Sequence, residues 1–198
     1  MTAMPTSDSA QDLLLAKLRQ KSVFFGDFTL ASGAKSNYYI DCRLTTLDAE
    51  GACLVGQAMY GMIREEIERS GAKPVAVGGL TMGADPISVA IGMNSWMQNP
   101  SAPLQIFSVR KAPKAHGQTK LIEGNFKSGD SVVIVEDTVT SGDSTLKAID
   151  AVEQAGGKVA MVAVLADRCQ GGVEKIASRG YKVLALFKKD QLLAGREG

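Results

Sequence analysis

Val132–Ser144 reads V-V-I-V-E-D-T-V-T-S-G-D-S, and the rest of the chain can be read outward from it. Val132, Val133, Ile134 and Val135 are β-branched and uninterrupted, the pattern of a strand buried on both faces of a parallel sheet. Glu136 and Asp137 are expected to end that strand. A short loop of Thr, Ser and Gly follows, then a helical pattern. Leu146, Ile149 and Val152 recur at spacings of three, and Gly156-Gly157 stops them. The first-turn N–H groups of such a helix lack intrahelical partners and lie at the positive end of its dipole. Small hydroxyl residues let a phosphate approach those donors closely. The paired acids can accept hydrogen bonds from vicinal hydroxyls or help hold a metal ion. A phosphate grip beside a diol grip implies a ribose 5-phosphate ligand. The plainer alternative is an ordinary turn between strand and helix, where acids and hydroxyl residues are common.

The chain has 198 residues, enough for one domain with a small appendage. Hydrophobic residues make up 45% and charged residues 22%, as in ordinary globular proteins. A net charge of +1 supplies no general drive toward nucleic acid, membranes or acidic partners. Cys42, Cys53 and Cys169 are odd in number and widely spaced, which predicts free thiols in a reducing compartment. No apolar run approaches the roughly 20 residues that span a bilayer. The amino terminus has no basic stretch followed by an apolar one, so no signal peptide is expected. The expected location is the cytoplasm.

In chain order, residues 1–9 read as a frayed tail and Gln11–Gln20 as a helix capped by Ser9, with Leu14, Leu15 and Leu18 on one face. Phe25–Arg43 reads as a hairpin with strands Phe28–Leu30 and Tyr38–Ile40 and turn residues Ser32–Asn37. A long helix should run from Thr45 or Thr46 to about Ser70 and close at Gly71. Pro74–Val77 is a short strand entering the glycine loop Gly78–Pro86, and Ile87–Trp96 is helical. Leu104–Val109 is a core strand that leads into R-K-A-P-K-A-H-G-Q-T-K-L-I-E-G, Arg110–Gly124. This run carries Arg110, Lys111, Lys114, Lys120 and the chain's single histidine, His116, with no acid before Glu123. It is either a solvated loop, a nucleic-acid patch or a site element, and its place after a core strand favours the last. Lys158–Leu165 is another strand, followed by Asp167 and Arg168. Val173–Arg179 is helical, Lys182–Phe187 is a last strand, and the tail frays. Five strands alternating with helices predict a doubly wound, mainly parallel five-stranded sheet flanked by helices, with a small amino-terminal hood. The single domain divides into helix and hood (1–45), core (46–188) and tail (189–198).

Several of these stretches resemble the orotate phosphoribosyltransferases, members of the type I phosphoribosyltransferase family. Val132–Ser144 resembles their binding signature for 5-phosphoribosyl 1-pyrophosphate (PRPP). F-T-L-A-S-G-A-K-S-N-Y-Y, Phe28–Tyr39, resembles the hood that carries base selectivity. R-K-x-x-K-x-H-G, Arg110–Gly117, resembles their mobile catalytic loop, and Gly78–Pro86 their pyrophosphate loop. The resemblance implies transfer of the 5-phosphoribosyl group from PRPP to orotate, a Mg²⁺ requirement, and a homodimer whose basic loops are shared between subunits. It assigns catalysis to Lys114, His116, Lys111 and Arg110. It assigns PRPP binding to these four and to Glu136, Asp137, Thr138, Val139, Thr140, Ser141, Gly142, Asp143 and Ser144. Orotate would meet Thr140, Arg168, Lys35 and Tyr39, with the Arg168 fork suited to its carboxylate. The protein alone fixes no metal; Mg²⁺ would arrive on PRPP and lie near Asp137. Three positions depart from the family pattern. Some members carry lysine where Ala31 stands and another near Met82, and proline is common where Asn37 stands, so cations are expected elsewhere, with Lys35 the candidate. Two rivals share part of the pattern: a phosphoribosyltransferase for another base, and a PRPP-sensing regulator.

Overall fold

A computed structural model describes residues 7–29, 33, 35–112 and 120–195. In chain order it contains α1 (Ser7–Lys21), the hairpin β1 (Val23–Thr29) and β2 (Lys35–Ile40), α2 (Arg43–Thr46) and α3 (Ala49–Ser70). The core continues with β3 (Ala76–Leu80), α4 (Ala84–Gln98), β4 (Gln105–Val109), β5 (Ile122–Gly124), β6 (Ser131–Val139) and α5 (Asp143–Gln154). It ends with β7 (Lys158–Asp167), α6 (Gly172–Ser178), β8 (Val183–Lys188) and α7 (Lys189–Leu193). The main sheet has the order β5-β4-β3-β6-β7-β8. Its last five strands are parallel, as the alternating pattern predicts, and β5 adds an antiparallel edge. With only Ile122, Glu123 and Gly124, β5 is too short to show a periodicity.

The opening stretch is buried from both sides, as its composition requires. Val133 and Val135 pack into the cluster that includes α1, α3 and α4, while Val132 and Ile134 pack into the one that includes α5. This follows from the two-residue alternation of a strand. The acids do not end β6. Glu136, Thr138 and Val139 pair with Val164, Ala166 and Asp167 of β7, so the ladder carries the carboxylates into the sheet.

Other departures have local causes. The expected long helix is broken, because Asp48 turns the chain and accepts a hydrogen bond from the Gly51 N–H at 2.8 Å. This is an N-cap, with Lys17 Nζ 2.9 Å from the same carboxylate. Gly71, at φ 72°, closes α3 as expected. The hairpin strands are longer than predicted. Lys35, Ser36 and Asn37 lie in β2 instead of a turn, and a register shift between Phe25 and Phe28 accommodates Gly26. Polar residues are tolerated there because this two-stranded ribbon is largely exposed. Leu30, Ala31 and Ser32 lie outside the described residues. The carboxyl-terminal segment does not simply fray. Leu192 of α7 is fully buried, and the Arg19 guanidinium donates to the Gln191 carbonyl at 2.9 and 2.6 Å. Among the described residues no helix is long and apolar enough to cross a membrane.

Gly79 permits the close approach of β3 to its neighbours. A Cβ at this position would lie 2.1 Å from the Val135 carbonyl oxygen and 2.7 Å from Ala84 Cβ. The first neighbour is backbone and cannot move aside alone. Gly79→Ala is expected to destabilise the fold by about 1–3 kcal/mol in urea denaturation. An unchanged midpoint would contradict this packing.

Candidate active site

The loop after β6 is shaped by glycines at two points of close approach. Gly142 has φ 80° and begins α5. Gly172, at the start of α6, lies so near that an added Cβ would sit 2.3 Å from the Thr140 carbonyl oxygen and 2.7 Å from the Gly142 nitrogen. Ser141 Oγ donates to Asp143 Oδ2 at 2.8 Å. The Asp143 carboxylate is turned toward α6 and held below its usual range by the hydrogen bond from Lys175, helped by Ser141. Asp143 therefore offers a ligand its backbone rather than its carboxylate. Val139 is likewise a backbone contributor. Its side chain is buried, and its carbonyl accepts the Arg168 N–H at 3.0 Å. The loop ends at the amino terminus of α5, where peptide N–H groups favour an anion.

Beside this loop lies a cavity of about 320 Å³ whose lining includes Arg43, Lys111, Glu136, Asp137, Thr138 and Ser144. Glu136 is only 6% exposed, and Thr145 Oγ1 donates to its Oε2 at 3.1 Å. Burial, with the neighbouring Asp137 charge, pushes the Glu136 carboxyl up to about 8. Burial also raises Asp137, against the opposing pull of the Thr138 N–H, which donates to its Oδ1 at 2.8 Å, and of the Arg43 charge. The two acids act on one another, the Asp137 charge favouring a proton on Glu136. Gly83 leaves room for the pair, since a Cβ there would fall 2.5 Å from Asp137 Oδ1. Beneath the floor, Thr138 Oγ1 donates to the Cys42 sulfur at 3.4 Å; burial pushes that thiol up to about 12, leaving it a packing group. All three cysteines are free, as their spacing predicts.

Arg168 is 7% exposed, with its guanidinium carbon 5.2 Å from the centre of the Tyr38 ring. Its Nε and Nη2 are buried and have no hydrogen-bond partner among the described residues. It forms no ion pair with Asp167 among them either. Asp167 Oδ1 instead accepts the Cys169 N–H at 2.8 Å.

The other expected positions are dispersed. Lys111 lines the cavity, but Arg110 does not, and its Nη1 lies 3.9 Å from Glu123 of β5. Tyr39 lines the cavity and packs on Phe28 with ring centres 5.7 Å apart. Lys35 is away from it, donating to Thr29 Oγ1 at 2.8 Å across the hairpin. Lys114 and His116 lie outside the described residues. Leu80, Thr81, Met82 and Gly83 bring the glycine loop to the cavity. Sequence reasoning missed Arg43, Tyr38, Thr145 and Cys42. Only Thr145 had a local signal, its place in the first turn of α5.

Magnesium takes oxygen ligands and keeps waters and substrate phosphates among them. Glu136 and Asp137 fit that donor set. No group of three or more potential metal-ligating side chains occurs among the described residues, so the pair would serve an ion that also uses ligand oxygens.

The parallel sheet, the hydroxyl-rich loop at the start of α5 and the acid pair define an α/β protein with a site at its strand ends suited to an anion, and comparison with known proteins narrows the class. Residues 54–186 match the phosphoribosyl transferase domain. An orotate phosphoribosyltransferase of Rhodopirellula baltica is 45% identical over 184 residues, covering 91% of this chain and 94% of that protein. One from Aquifex aeolicus is 41% identical, covering 92% and 97%. The crystal structure of the Mycobacterium tuberculosis orotate phosphoribosyltransferase in complex with PRPP has a TM-score of 0.73 at 35% identity, covering 92% of this chain and 98% of that one. The chain belongs to the orotate phosphoribosyltransferase family.

Buried Glu136 gives a pH dependence. Glu136 titrates higher folded than unfolded, so its contribution to stability is complete below its ordinary carboxylate range and is lost as pH rises through about 8. Glu136→Gln should flatten this fall while still accepting from Thr145. Its melting temperature is expected to drop less than the wild type's between about pH 6 and about pH 9, by about 2–4 °C or more. Equal drops would reject a protonated Glu136.

Proposed function

We propose that this chain transfers the 5-phosphoribosyl group from PRPP to orotate with Mg²⁺, giving orotidine 5′-monophosphate and pyrophosphate in pyrimidine synthesis. The observation that carries the choice of base is Arg168. A buried guanidinium with two unsatisfied nitrogens is costly unless an anion completes it, and orotate brings a planar carboxylate. Its backbone bond to Val139 sets it beside the phosphate loop. Thr140 and Tyr39 complete the orotate contacts; Lys35 stands on the hood hairpin.

The loop Thr138–Ser144 holds the 5-phosphate through N–H groups and hydroxyls, and Glu136 with Asp137 holds the ribose hydroxyls. The orotate ring nitrogen is the nucleophile, so no protein nucleophile is needed. The anomeric carbon passes through an oxocarbenium-like state with inversion. Negative charge then gathers on the departing pyrophosphate, where Lys111, Lys114 and Arg110 stabilise it, and His116 donates a proton or hydrogen bond. Magnesium, when bound, adds positive charge against the same oxygens. Excluding water at this stage protects the cation from hydrolysis.

The active form is a homodimer that shares the Arg110–Gly124 run between subunits. Support comes from the outer face of α4, where Val89, Met93, Trp96 and Met97 are each 45–59% exposed. A groove of about 510 Å³ between α3 and α4 adjoins them and shares Met82 with the site cavity. A second copy seated there would cover this apolar face and lie against the site. The cellular setting that fits the three free thiols is the cytoplasm.

Arg168→Gln is expected to lower kcat/KM for orotate by about 10- to 100-fold, the loss of a charge-assisted contact, with PRPP binding retained. Unchanged orotate kinetics would remove Arg168 from the base site. Light scattering should give the mass of two chains; a fully active monomer would reject the shared loop.

A further inference from the structure

The cavity must receive a highly charged anion although its floor is acidic. Asp41, Glu136 and Asp137 line it, against Arg43 and Lys111 as the cations among the described residues. Lys35 does not reach it, and Met82, 63% exposed, lines it without a charge. Arg43 is therefore one of two described positive charges available to an incoming polyphosphate, and it is better fixed than a free surface arginine. Its Nε donates to Asp41 Oδ1 and its Nη2 to Asp41 Oδ2, both at 2.8 Å, while its own backbone N–H bonds Oδ1 at 3.1 Å. This two-point fork fixes the plane of the guanidinium. Nη1 remains without a partner among the described residues, and the side chain is 46% exposed. A fork held on one edge and open on another suits recognition of phosphate oxygens, because little side-chain freedom is lost on binding.

We infer that Arg43 binds the pyrophosphate portion of the ligand, holding it through the open edge of a guanidinium that Asp41 has already oriented. This rests on the transfer reading above and adds to it a residue outside the basic run and the phosphate loop. The Arg43 charge acts on both ends of the problem. It steadies the Asp137 carboxylate before the ligand enters, and it faces the group on which negative charge accumulates as the glycosidic bond breaks. Asp41 is then a positioning residue, touching Arg43 but not the ligand.

The test is calorimetric titration of the full chain with inorganic pyrophosphate and, separately, with ribose 5-phosphate. Arg43→Gln is expected to weaken pyrophosphate by about 10- to 100-fold and to weaken ribose 5-phosphate far less, since its phosphate rests on Thr138–Ser144 and only its hydroxyls meet the Asp137 that Arg43 steadies. Unchanged pyrophosphate binding, or an equal loss of both ligands, would overturn the assignment. Should the variant fail to fold, the wild type gives the same decision by phenylglyoxal modification mapped by mass spectrometry. Pyrophosphate should protect Arg43 and ribose 5-phosphate should not; equal modification with and without pyrophosphate would overturn it. Wild-type protein that binds both ligands yet turns over no base would refute the transfer reading and leave Arg43 in place.

Discussion

The constraint on which the site depends is the burial of Glu136 beside a second, half-buried carboxyl, Asp137, near the carboxyl end of β6. Two like charges cannot be taken from water together without help, so the surroundings must hold a proton, donate hydrogen bonds or bring opposite charge. Thr145 donates from the first turn of α5, the Thr138 N–H supports Asp137, and Arg43 and Lys111 act through space. Gly83 supplies the volume that Asp137 occupies. Parts from β6, α2, α5, the segment after β4 and the loop before α4 therefore converge on a pair that is costly without a ligand and well suited to bind a diol or a cation.

The same arrangement explains why the fold and the chemistry meet here. The parallel strands end side by side, so the loops after β3, β4, β6 and β7 lie at one edge of the sheet. The carboxyl pair, the phosphate loop and Arg168 are each delivered by a strand end, and the rigid ladder between β6 and β7 fixes their spacing. Arg168 and Val139 are even joined by a backbone hydrogen bond. The hood adds Tyr38 against the guanidinium, which ties the amino-terminal hairpin to Arg168 without burying it in the core.

Much of the fold was legible because its signals are strong over short windows. The β-branched run at Val132–Val135 is hydrophobic on both faces, and it indeed packs two clusters. What was not legible turns on tertiary partners. Glu136 and Asp137 read as a strand end because charge disfavours a sheet, yet β7 pairs with Glu136 and with Thr138 beyond them and so keeps both in it. Asp48 falls inside the stretch that reads as one long helix, and only Lys17 and the turn at Leu47 reveal it as a cap. Strand β5 and helix α7 are too short for any period. In the site, the acid pair and the hydroxyl-rich loop after it form one contiguous run, Glu136–Ser144, whose residues could be read together. Arg43 and Tyr38 were not, because their roles arise from neighbours far along the chain: Asp137 for one, Arg168 for the other. Lys35 carried the expected charge but on a strand that directs it to Thr29.

The account stands or falls on the base. The most direct measurement follows the loss of orotate absorbance after adding PRPP and Mg²⁺ to the wild-type protein, with uracil and hypoxanthine as parallel acceptors. Turnover with orotate alone is the predicted result, since only orotate brings a carboxylate to Arg168. Turnover of uracil or hypoxanthine in preference, or PRPP binding with no base consumed, would contradict it.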